Sequence, residues 1–235
     1  GLPAVLKTRR FGYDGKGQFI IKSQNEISAA WESMKDSPAI LEQFINFKRE
    51  VSVVAARSQL GETASYPLIE NIHKNHILHR SVAPSVSDNK NAQNIALKVL
   101  NSLDYVGVIA IEFFEQENGD LLVNEIAPRV HNSGHWTMEG CKTSQFENHC
   151  RAIANANLGS TEANGIGGIV NMLGEHGNPD DFSSEELFYH AYGKEERPRR
   201  KLGHVGILVN DYTALKQHLN AVLSNLYGDK YTPYL

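Results

Sequence analysis

The stretch 106–137 constrains the fold of this chain more than any other. It holds two apolar segments, 108–115 and 120–126, separated by Asn118 and Gly119. Asn-Gly between apolar runs is the strongest short-range signal for a β-hairpin, because both residues tolerate the positive φ of a type I′ turn. We therefore predict a hairpin here, followed by a polar loop.

The predicted hairpin register opposes two glutamates. With a two-residue Asn-Gly turn, Glu117 pairs with Asp120. The same count places Glu112 opposite Glu125, with Cβ atoms about 5 Å apart on one face. Like charges at that distance are destabilising unless a cation lies between them, and Mg²⁺ prefers carboxylate oxygens. The pair is either a metal clamp or two edge-strand glutamates facing water, and a one-residue slip puts the side chains on opposite faces.

Length and composition are those of an ordinary globular protein. The 235 residues are 41% hydrophobic and 21% charged, which suits one large domain or two moderate ones. The net charge of −4 provides no overall basic surface for nucleic acid. No apolar run approaches the roughly 20 residues that span a bilayer, and the N-terminus lacks a secretory signal's layout. We expect a soluble, cytoplasmic protein that binds neither nucleic acid nor membranes.

Cysteines and histidines form no recognisable metal or nucleophile motif. Cys141 and Cys150 are too few for a disulfide framework and lack metal-ligand spacing, so we interpret both as reduced thiols. His131 and His135 are four residues apart, but the Glu of a zincin is missing and the residues between them make a poor helix. Hydrogen-bonding roles suit these histidines better than zinc. The chain also has no G-x-S-x-G nucleophile elbow.

A glycine-rich loop, FGYDGKGQ, lies between two predicted strands, 1–7 and 18–22. Its glycines allow backbone N–H groups to approach an anion closely, and Lys16 supplies positive charge. It is not a Walker A motif, because Gly17 follows Lys16 and no helix begins there. The loop either covers phosphates or is simply a hairpin turn.

The rest of the pattern predicts a small α/β lobe joined to a larger one, and clefts between such lobes hold ligands. Ser23 and Glu26, and again Ser144 and Glu147, have the capping-box spacing that begins a helix. The predicted parts are a small lobe at 1–48, a large lobe at 49–173 and a C-terminal module at 174–235. Further predicted strands are 39–44, 50–56, 63–68, 77–81, 169–173 and 205–209, and predicted helices cover 27–36, 92–103, a segment beginning at 144, and 212–226.

A cluster of five cations lies in the last part of the chain. Pro198 and Gly203 indicate a shaped loop around them rather than a helix face, and Arg side chains match the geometry of phosphate. The cluster is either a solvated charge run or a site for a phosphorylated substrate. Its members are Lys194, Arg197, Arg199, Arg200 and Lys201.

Four motifs occur in this order: GYDGKGQ, EQFINFKREVSVV, NEIAPRVHNSGHWT and RPRRKLGH. Together they resemble the ATP-grasp superfamily and, within it, the 5-(carboxyamino)imidazole ribonucleotide synthase family, for which the third motif is highly specific. The resemblance covers essentially the whole chain but only the later part of the family's usual length, without its N-terminal Rossmann-like domain. It implies an α+β ATP-grasp fold, with a nucleotide cleft between two α/β lobes, and a small C-terminal α/β module.

The resemblance also implies an ATP-grasp ligase of purine biosynthesis that forms a carbon–nitrogen bond. Such an enzyme phosphorylates bicarbonate with ATP to carboxyphosphate, and then carboxylates the exocyclic amine of aminoimidazole ribonucleotide. It uses Mg²⁺ and is a homodimer when full length. Two alternatives stay open: the related formate-dependent glycinamide ribonucleotide transformylase, against which VHNSGHWT argues, and a truncated ATP-binding module without turnover.

Residue roles carry over by position from the family's motifs. Lys7 matches the strand lysine on ATP phosphates, Glu42 to Ile45 the adenine-reading segment, and Glu50 the carboxylate on the ribose. Glu125, with Glu112, falls where the family binds Mg²⁺. The implied ATP-binding residues are Lys7, Gly12, Tyr13, Asp14, Gly15, Lys16, Gly17, Gln18, Glu42, Gln43, Phe44, Ile45, Glu50, His73, Asn124 and Glu125.

The same resemblance implies the reacting groups, with Asp14 as acceptor of the amine proton. Lys194 and Arg200 match the contacts of the ribonucleotide 5′-phosphate. Ala127 stands where many ATP-grasp enzymes have an Asn ligand, which leaves Asn124 as a nearby candidate, and Arg199 stands where relatives commonly have Gly. The implied catalytic residues are Asp14, Lys16, Arg129 and Lys201, and the implied substrate-binding residues are Tyr13, His131, Asn132, Lys194, Arg200 and Lys201.

Overall fold

The computed structural model describes residues 1–10, 12, 15–34, 37–87 and 89–228. The chain forms two compact units. The smaller unit is Gly1–Phe47 together with His73–Ile77, and the larger unit contains Lys48–Ile72 and the chain from Leu78 onward. The three-part division at residues 48 and 173 stays a prediction.

In the smaller unit, the described residues form a three-stranded antiparallel sheet with the order β2-β1-β3. One helix, α1, packs on it, because Ala30 and Met34 lie four residues apart on one helix face and are both buried. Leu6 and Ile21 complete this core. The elements are β1 (Ala4–Thr8), β2 (Gln18–Ile21), α1 (Ile27–Met34) and β3 (Ala39–Gln43).

The remaining described strands form a nine-stranded sheet with the order β11-β12-β10-β7-β6-β4-β8-β9, and β5 pairs with β4. Its strands are β4 (Arg49–Arg57), β5 (Thr63–Ser65), β6 (Ile69–Lys74), β7 (Ile77–Ala83), β8 (Gly107–Glu115), β9 (Leu121–Ala127), β10 (Ile166–Leu173), β11 (Leu187–Ala191) and β12 (Lys201–Val209). The helices of the larger unit are α2 (Lys90–Ser102), α3 (Thr137–Gly140), α4 (Gln145–Ile153) and α5 (Tyr212–Tyr227).

Helical periodicity located the long helices correctly. Helix α2 buries Ala92, Ala96 and Leu100 at the predicted spacing, in the same core as residues of β4 and β8. Helix α5 likewise buries its predicted apolar face in a core with residues of β10 and β12. No helix in the described ranges is long and apolar enough to cross a membrane.

Two strands were missed, and several strand ends were misplaced: β5 was predicted too long, whereas β10 and β12 begin before their predicted starts at residues 169 and 205. Strand β5 ends at Ser65 instead of Leu68, since Pro67 cannot donate a ladder hydrogen bond. No strand was predicted over the residues of β6, because its composition is mixed polar and apolar. Strand β11 pairs only with β12 at the sheet edge, where a short strand carries little alternation for sequence to show.

The β8–β9 hairpin forms, but its turn has three residues and not two. Gln116 N–H donates to the Asp120 carbonyl (2.9 Å), and Gly119 N–H donates to the Gln116 carbonyl (2.9 Å). The predicted Glu117–Asp120 pair is therefore wrong. The Asn118 Oδ1 atom accepts the Asp120 N–H (3.0 Å), and of the Asn-Gly pair only Gly119 has a positive φ, +85°. This local side-chain bond favours a longer turn closed by a left-handed glycine over type I′.

Candidate functional site

The predicted pairing of Glu112 with Glu125 is confirmed, although the turn register was wrong. Near the turn Glu115 pairs with Leu121, and the register shifts by one residue between Glu112 and Phe113. The extra residue of this β-bulge is Asn124. In a regular ladder Asn124 would face Glu112 and Glu125 would point to the other side of the sheet. The bulge therefore puts the two carboxylates on one face, and their role in metal binding stays a prediction.

The loop after β9 places His131 beside the first carboxylate. The His131 Nε2 atom lies 3.7 Å from Glu112 Oε1. The other ring nitrogen, Nδ1, accepts the Ser133 N–H (3.3 Å) and lies 2.9 Å from Ser133 Oγ. Since Nδ1 accepts a backbone hydrogen, the neutral ring carries its proton on Nε2, the atom that faces Glu112.

A directional chain of hydrogen bonds supports His131 from inside the sheet. The Ser81 hydroxyl donates to Asn71 Oδ1 (2.7 Å), and Asn71 Nδ2 donates to Ser52 Oγ (2.8 Å). The Ser52 hydroxyl donates in turn to Ser133 Oγ (3.0 Å). Ser52, Asn71, Ser81 and Ser133 are all buried. Satisfied buried polar chains of this kind fix side-chain positions.

The neighbouring residue, Asn132, is held by an amide of β10. Asn132 Nδ2 donates to Asn171 Oδ1 (3.0 Å), and Asn171 Nδ2 donates to Asn132 Oδ1 (2.6 Å). Asn171 Nδ2 also donates to the Leu78 carbonyl (2.8 Å), which fixes the orientation of the Asn171 amide. The loop after β9 thus crosses the sheet face from β8 to β10.

Beyond Asn132 the loop reaches β12 through a cluster of histidines. The ring of His204 lies 5.1 Å from that of His135 and stacks on that of His190 at 4.6 Å. The Tyr192 hydroxyl bonds to His204 Nδ1 (2.8 Å), and His190 Nε2 bonds to Glu139 Oε1 (2.8 Å). These rings line a cavity of about 520 Å³ together with Met138, Phe146 and Ala191.

Burial keeps two of these imidazoles neutral. It lowers the pKa of His135 to about 4, with a smaller effect of nearby His190 and Lys201. It lowers the pKa of His204 to about 2, again with smaller effects of the neighbouring histidines. Neutral stacked rings provide aromatic surface and hydrogen-bonding nitrogens without positive charge.

The tail cations predicted to bind the substrate phosphate lie together in the larger unit. The Lys194 ammonium lies 3.4 Å from the Lys201 carbonyl and 5.1 Å from the centre of the Tyr192 ring. Arg200 Nη1 donates to the Glu195 carbonyl (3.2 Å). Arg199 adopts φ +67°, the left-handed region that favours glycine.

Other predicted residues of the larger unit lie at its surface or partly buried. Arg129 is exposed, and its Nη1 donates to the Val130 carbonyl (3.0 Å). Glu50, on β4, is half-buried and pairs with Phe114 of β8. Asn124 is half-buried as well.

In the smaller unit, the predicted phosphate contact Lys7 pairs with the predicted adenine-segment residue Glu42. Their Nζ and Oε2 atoms are 2.6 Å apart. Lys16 and Gln43 are exposed, whereas Phe44, Ile45 and His73 are half-buried.

The glycine-rich loop needs its glycines. Gly15 and Gly17 have φ of +79° and +75°, and a Cβ on Gly15 would lie 2.6 Å from the His76 side chain. The Gln18 Nε2 atom also bonds to His76 Nδ1 (3.0 Å). Gly12 is exposed, and Tyr13 and Asp14 lie outside the described residues.

Sequence reasoning missed the residues that hold the loop. These are Ser52, Gln145 and Asn171, all with no exposed surface. Two of them left a weak signal, a polar residue inside an apolar strand, in EVSVVAA and IVNML. A polar residue at a buried strand position needs a partner, but only the fold shows which one.

The family match covers more than half of the chain. The sequence model of the ATP-grasp domain matches residues 1–146. The chain belongs to the ATP-grasp family. A second family model, the phosphoribosylaminoimidazole carboxylase C-terminal domain, matches residues 168–218, which contain most of β10 and all of β11 and β12. The predicted fold, ATP-grasp with a C-terminal module, is confirmed.

Individual ATP-grasp relatives are similar over nearly the whole chain. The N5-carboxyaminoimidazole ribonucleotide synthase of Vibrio vulnificus is 43% identical over 99% of this chain and 64% of its own length. That of Bacillus subtilis is 44% identical over 87% of this chain and 56% of its own length. The chain thus spans less than two thirds of the curated relatives that it matches.

Solved structures of ATP-grasp proteins are also similar to this chain in fold and sequence. The N5-carboxyaminoimidazole ribonucleotide synthetase of Thermus thermophilus is 44% identical, with a TM-score of 0.91 over 100% of this chain and 64% of that one. The synthase of Aspergillus clavatus in complex with ADP and 5-aminoimidazole ribonucleotide is 30% identical, with a TM-score of 0.87 over 95% of this chain and 62% of that one.

Proposed function

We propose that the protein carrying this chain catalyses the ATP- and bicarbonate-dependent carboxylation of 5-aminoimidazole ribonucleotide in purine biosynthesis. The observation that carries the proposal is the registered pair Glu112–Glu125, followed by a loop that runs across the sheet to β12, whose first residue, Lys201, is the last of the tail cations. Similarity to the synthases over both family regions supports the same assignment.

The proposed reaction has two steps. A bicarbonate oxygen attacks the γ-phosphorus of ATP, which releases ADP and forms carboxyphosphate. The exocyclic amine of the ribonucleotide then attacks the carboxyl carbon, the carbon–oxygen bond to phosphate breaks, and inorganic phosphate leaves. The nitrogen loses one proton to a base, for which Asp14 is the proposed group. The products are the N-carboxylate, ADP and phosphate.

The opposed carboxylates fit Mg²⁺ by their donor chemistry. This ion is usually bound by one or two protein carboxylates together with substrate phosphates. The described residues contain no group of three or more His, Cys, Asp or Glu side chains that could hold a metal. In the proposed site, phosphate oxygens of ATP would complete the coordination. Glu112 and Glu125 would hold the ion, which would supply positive charge to the phosphates of ATP.

Basic side chains and the adenine-reading segment would provide the remaining contacts to ATP. Lys7 and Lys16 would balance phosphate charge in the smaller unit, and Arg129 would do so near the end of β9. Glu42 to Ile45, Glu50 and His73 are the proposed contacts of adenine and ribose. Closure of the glycine-rich loop would keep water from the labile carboxyphosphate.

The tail cations are the proposed site of the ribonucleotide phosphate. The Lys194 ammonium lies 3.4 Å from the Lys201 backbone carbonyl, and Arg200 directly precedes Lys201 in the sequence. Several cations in one short segment would favour a dianionic ligand. His131 and Asn132 would contact the rest of the ribonucleotide, and the homodimer implied for the longer protein stays a prediction.

An ATP-binding module without turnover is the second candidate, because the chain spans only 64% of the length of the synthases that it matches. Calorimetry of Mg-ATP binding, with and without aminoimidazole ribonucleotide, separates the two functions. We expect the 235-residue chain to bind Mg-ATP and to bind the ribonucleotide as well. Binding of ATP with no ribonucleotide binding would favour the module.

A further inference from the structure

Gln145, the first residue of α4, has no exposed surface and binds the backbone of His131 through its side-chain amide. His131 N–H donates to Gln145 Oε1 (2.9 Å), and Gln145 Nε2 donates to the His131 carbonyl (2.8 Å). The two bonds close a ring of the kind formed by paired strands. The amide therefore fixes both the position and the direction of the His131 backbone.

The same residue also fixes the far end of this loop. Gln145 Nε2 lies 3.0 Å from His135 Nδ1. The Gln145 N–H donates to Thr137 Oγ1 (2.9 Å), and the Thr137 hydroxyl donates to the Gly134 carbonyl (2.7 Å). A single buried side chain thus satisfies polar groups at both ends of the segment 131–135.

Gly134 shows how closely the loop lies on this amide. A Cβ atom on Gly134 would lie 2.5 Å from Gln145 Oε1 and 2.7 Å from its Cδ. Atoms do not approach so closely, so the loop reaches this position only with glycine there. The loop backbone at Gly134 therefore packs directly against the Gln145 side-chain amide.

We infer that Gln145 is a positioning residue for the ribonucleotide site, acting through His131 and Asn132. This inference rests on the proposed function, which assigns those two residues to the ribonucleotide. Gln145 is fully buried, so it would act through the loop and not by direct contact with the ribonucleotide. It sets the backbone from which His131 directs its ring toward Glu112 and from which Asn132 meets Asn171.

Asn148, one turn later on the same helix, provides a matched control. It also has no exposed surface, and its amide clamps a different loop. Asn148 Nδ2 donates to the Tyr66 hydroxyl (2.9 Å) and to the Gly159 carbonyl (3.2 Å), and Gly159 N–H donates to Asn148 Oδ1 (2.7 Å). We expect loss of this amide to destabilise the core to a similar extent without releasing His131, because it also breaks three hydrogen bonds.

The test compares Gln145→Met with Asn148→Leu in the full protein that carries this chain. We expect both changes to lower the urea midpoint of unfolding. Only Gln145→Met should raise the KM for aminoimidazole ribonucleotide, by roughly tenfold. A tenfold change corresponds to the free-energy contribution of about one hydrogen bond. The KM for ATP should stay within about twofold of wild type in both variants. If Gln145→Met does not fold, Gln145→Glu keeps the side-chain length and places a carboxylate oxygen against the His131 carbonyl.

A second measurement does not depend on activity. Nitrogen NMR of the His131 imidazole should show shifted ring resonances in the Gln145 variant and unchanged ones in Asn148→Leu. Unchanged His131 resonances in the Gln145 variant, or equal rises in ribonucleotide KM in both variants, would overturn the inference. If wild type shows no ribonucleotide-dependent turnover while the NMR contrast persists, the proposed function fails and the positioning of His131 by Gln145 stands.

Discussion

Glu112 and Glu125 face one another across the β8–β9 ladder because Asn124 is an extra residue in β9. The bulge turns Glu125, which is exposed, onto the face of the half-buried Glu112. Like charges in directly opposed positions are destabilising, and a bulge that brings them together is typical of a functional site. A cation bound between the two carboxylates would offset their repulsion.

Glu125→Gln tests this clamp. The change removes one of the two charges, so Mg²⁺-dependent nucleotide affinity should fall by roughly tenfold or more. The free energy of unfolding should stay the same or rise slightly, because the repulsion with Glu112 is lost. Nucleotide titrations at several Mg²⁺ concentrations give the first quantity, and urea unfolding gives the second. Glu117→Gln, in the exposed turn of the same hairpin, is the control, and an equal Mg²⁺ response in both variants would contradict the clamp.

Lys194→Met tests the proposed phosphate site. Loss of this ammonium should lower ribonucleotide affinity by roughly tenfold and leave ATP affinity unchanged. The effect should weaken as salt is raised, since screening reduces the contribution of an exposed charge. Lys216→Met, an exposed lysine on α5, is the control for a general change of charge. Calorimetry with each ligand measures both affinities. Loss of ATP binding with unchanged ribonucleotide binding would contradict the proposed role of Lys194 at the ribonucleotide phosphate.

Arg199→Gly should stabilise the protein. Arg200 N–H donates to the Arg197 carbonyl (3.1 Å), and Arg199 at φ +67° follows Pro198 in the position where this kind of turn favours glycine. Relief of the left-handed conformation should raise the free energy of unfolding by about 1 kcal/mol, as measured by urea unfolding. Arg197→Gly is the control and should bring no gain. A less stable Arg199→Gly variant would show that the Arg199 side chain contributes more than its backbone costs.

Acidification should destabilise the larger unit through its buried histidines. The folded-state pKa of His135 is about 4 and that of His204 about 2, both below the value of about 6.5 expected for an unfolded histidine. Below that pH the unfolded chain binds more protons, so the free energy of unfolding falls as pH drops, by up to roughly 1.4 kcal/mol per pH unit for each histidine. The loss runs from about pH 6.5 toward pH 4 for His135 and continues lower for His204.

His204→Phe isolates one of these contributions. The change keeps an aromatic ring against His190 and removes a titrating group. Unfolding measured by urea between pH 7 and pH 5 should then show a shallower pH dependence than wild type. An unchanged slope would mean that other groups cause the acid sensitivity.

Local signals predicted the four longer helices and the hairpin, but not the four-residue helix α3 or every strand. Helix α5 repeats its apolar residues at helical spacing, so its buried face was visible in the sequence. Strands β6 and β11 were missed although each pairs with the next strand in sequence, because neither has a regular alternation of polar and apolar residues. The hairpin count reached the correct glutamate pair only because a bulge offset the longer turn.

The support of the candidate site was not predictable from sequence. Ser52 and Ser133 are separated by 81 residues, and Asn132 and Asn171 by 39. No local pattern links such positions, because their contact arises from sheet order and from the path of one loop. The carboxylates, the glycine-rich loop and the tail cations could be named as candidates from sequence because their chemistry lies in short motifs.

Transfer of isotope from ¹³C-bicarbonate tests the central claim most directly. With ATP, Mg²⁺ and aminoimidazole ribonucleotide, the full protein that carries this chain should place the label on the exocyclic nitrogen and release one ADP for each carboxylate formed. Omission of the ribonucleotide or of bicarbonate should abolish both. ADP formation that needs neither compound, or robust turnover with formate and glycinamide ribonucleotide instead, would contradict the account.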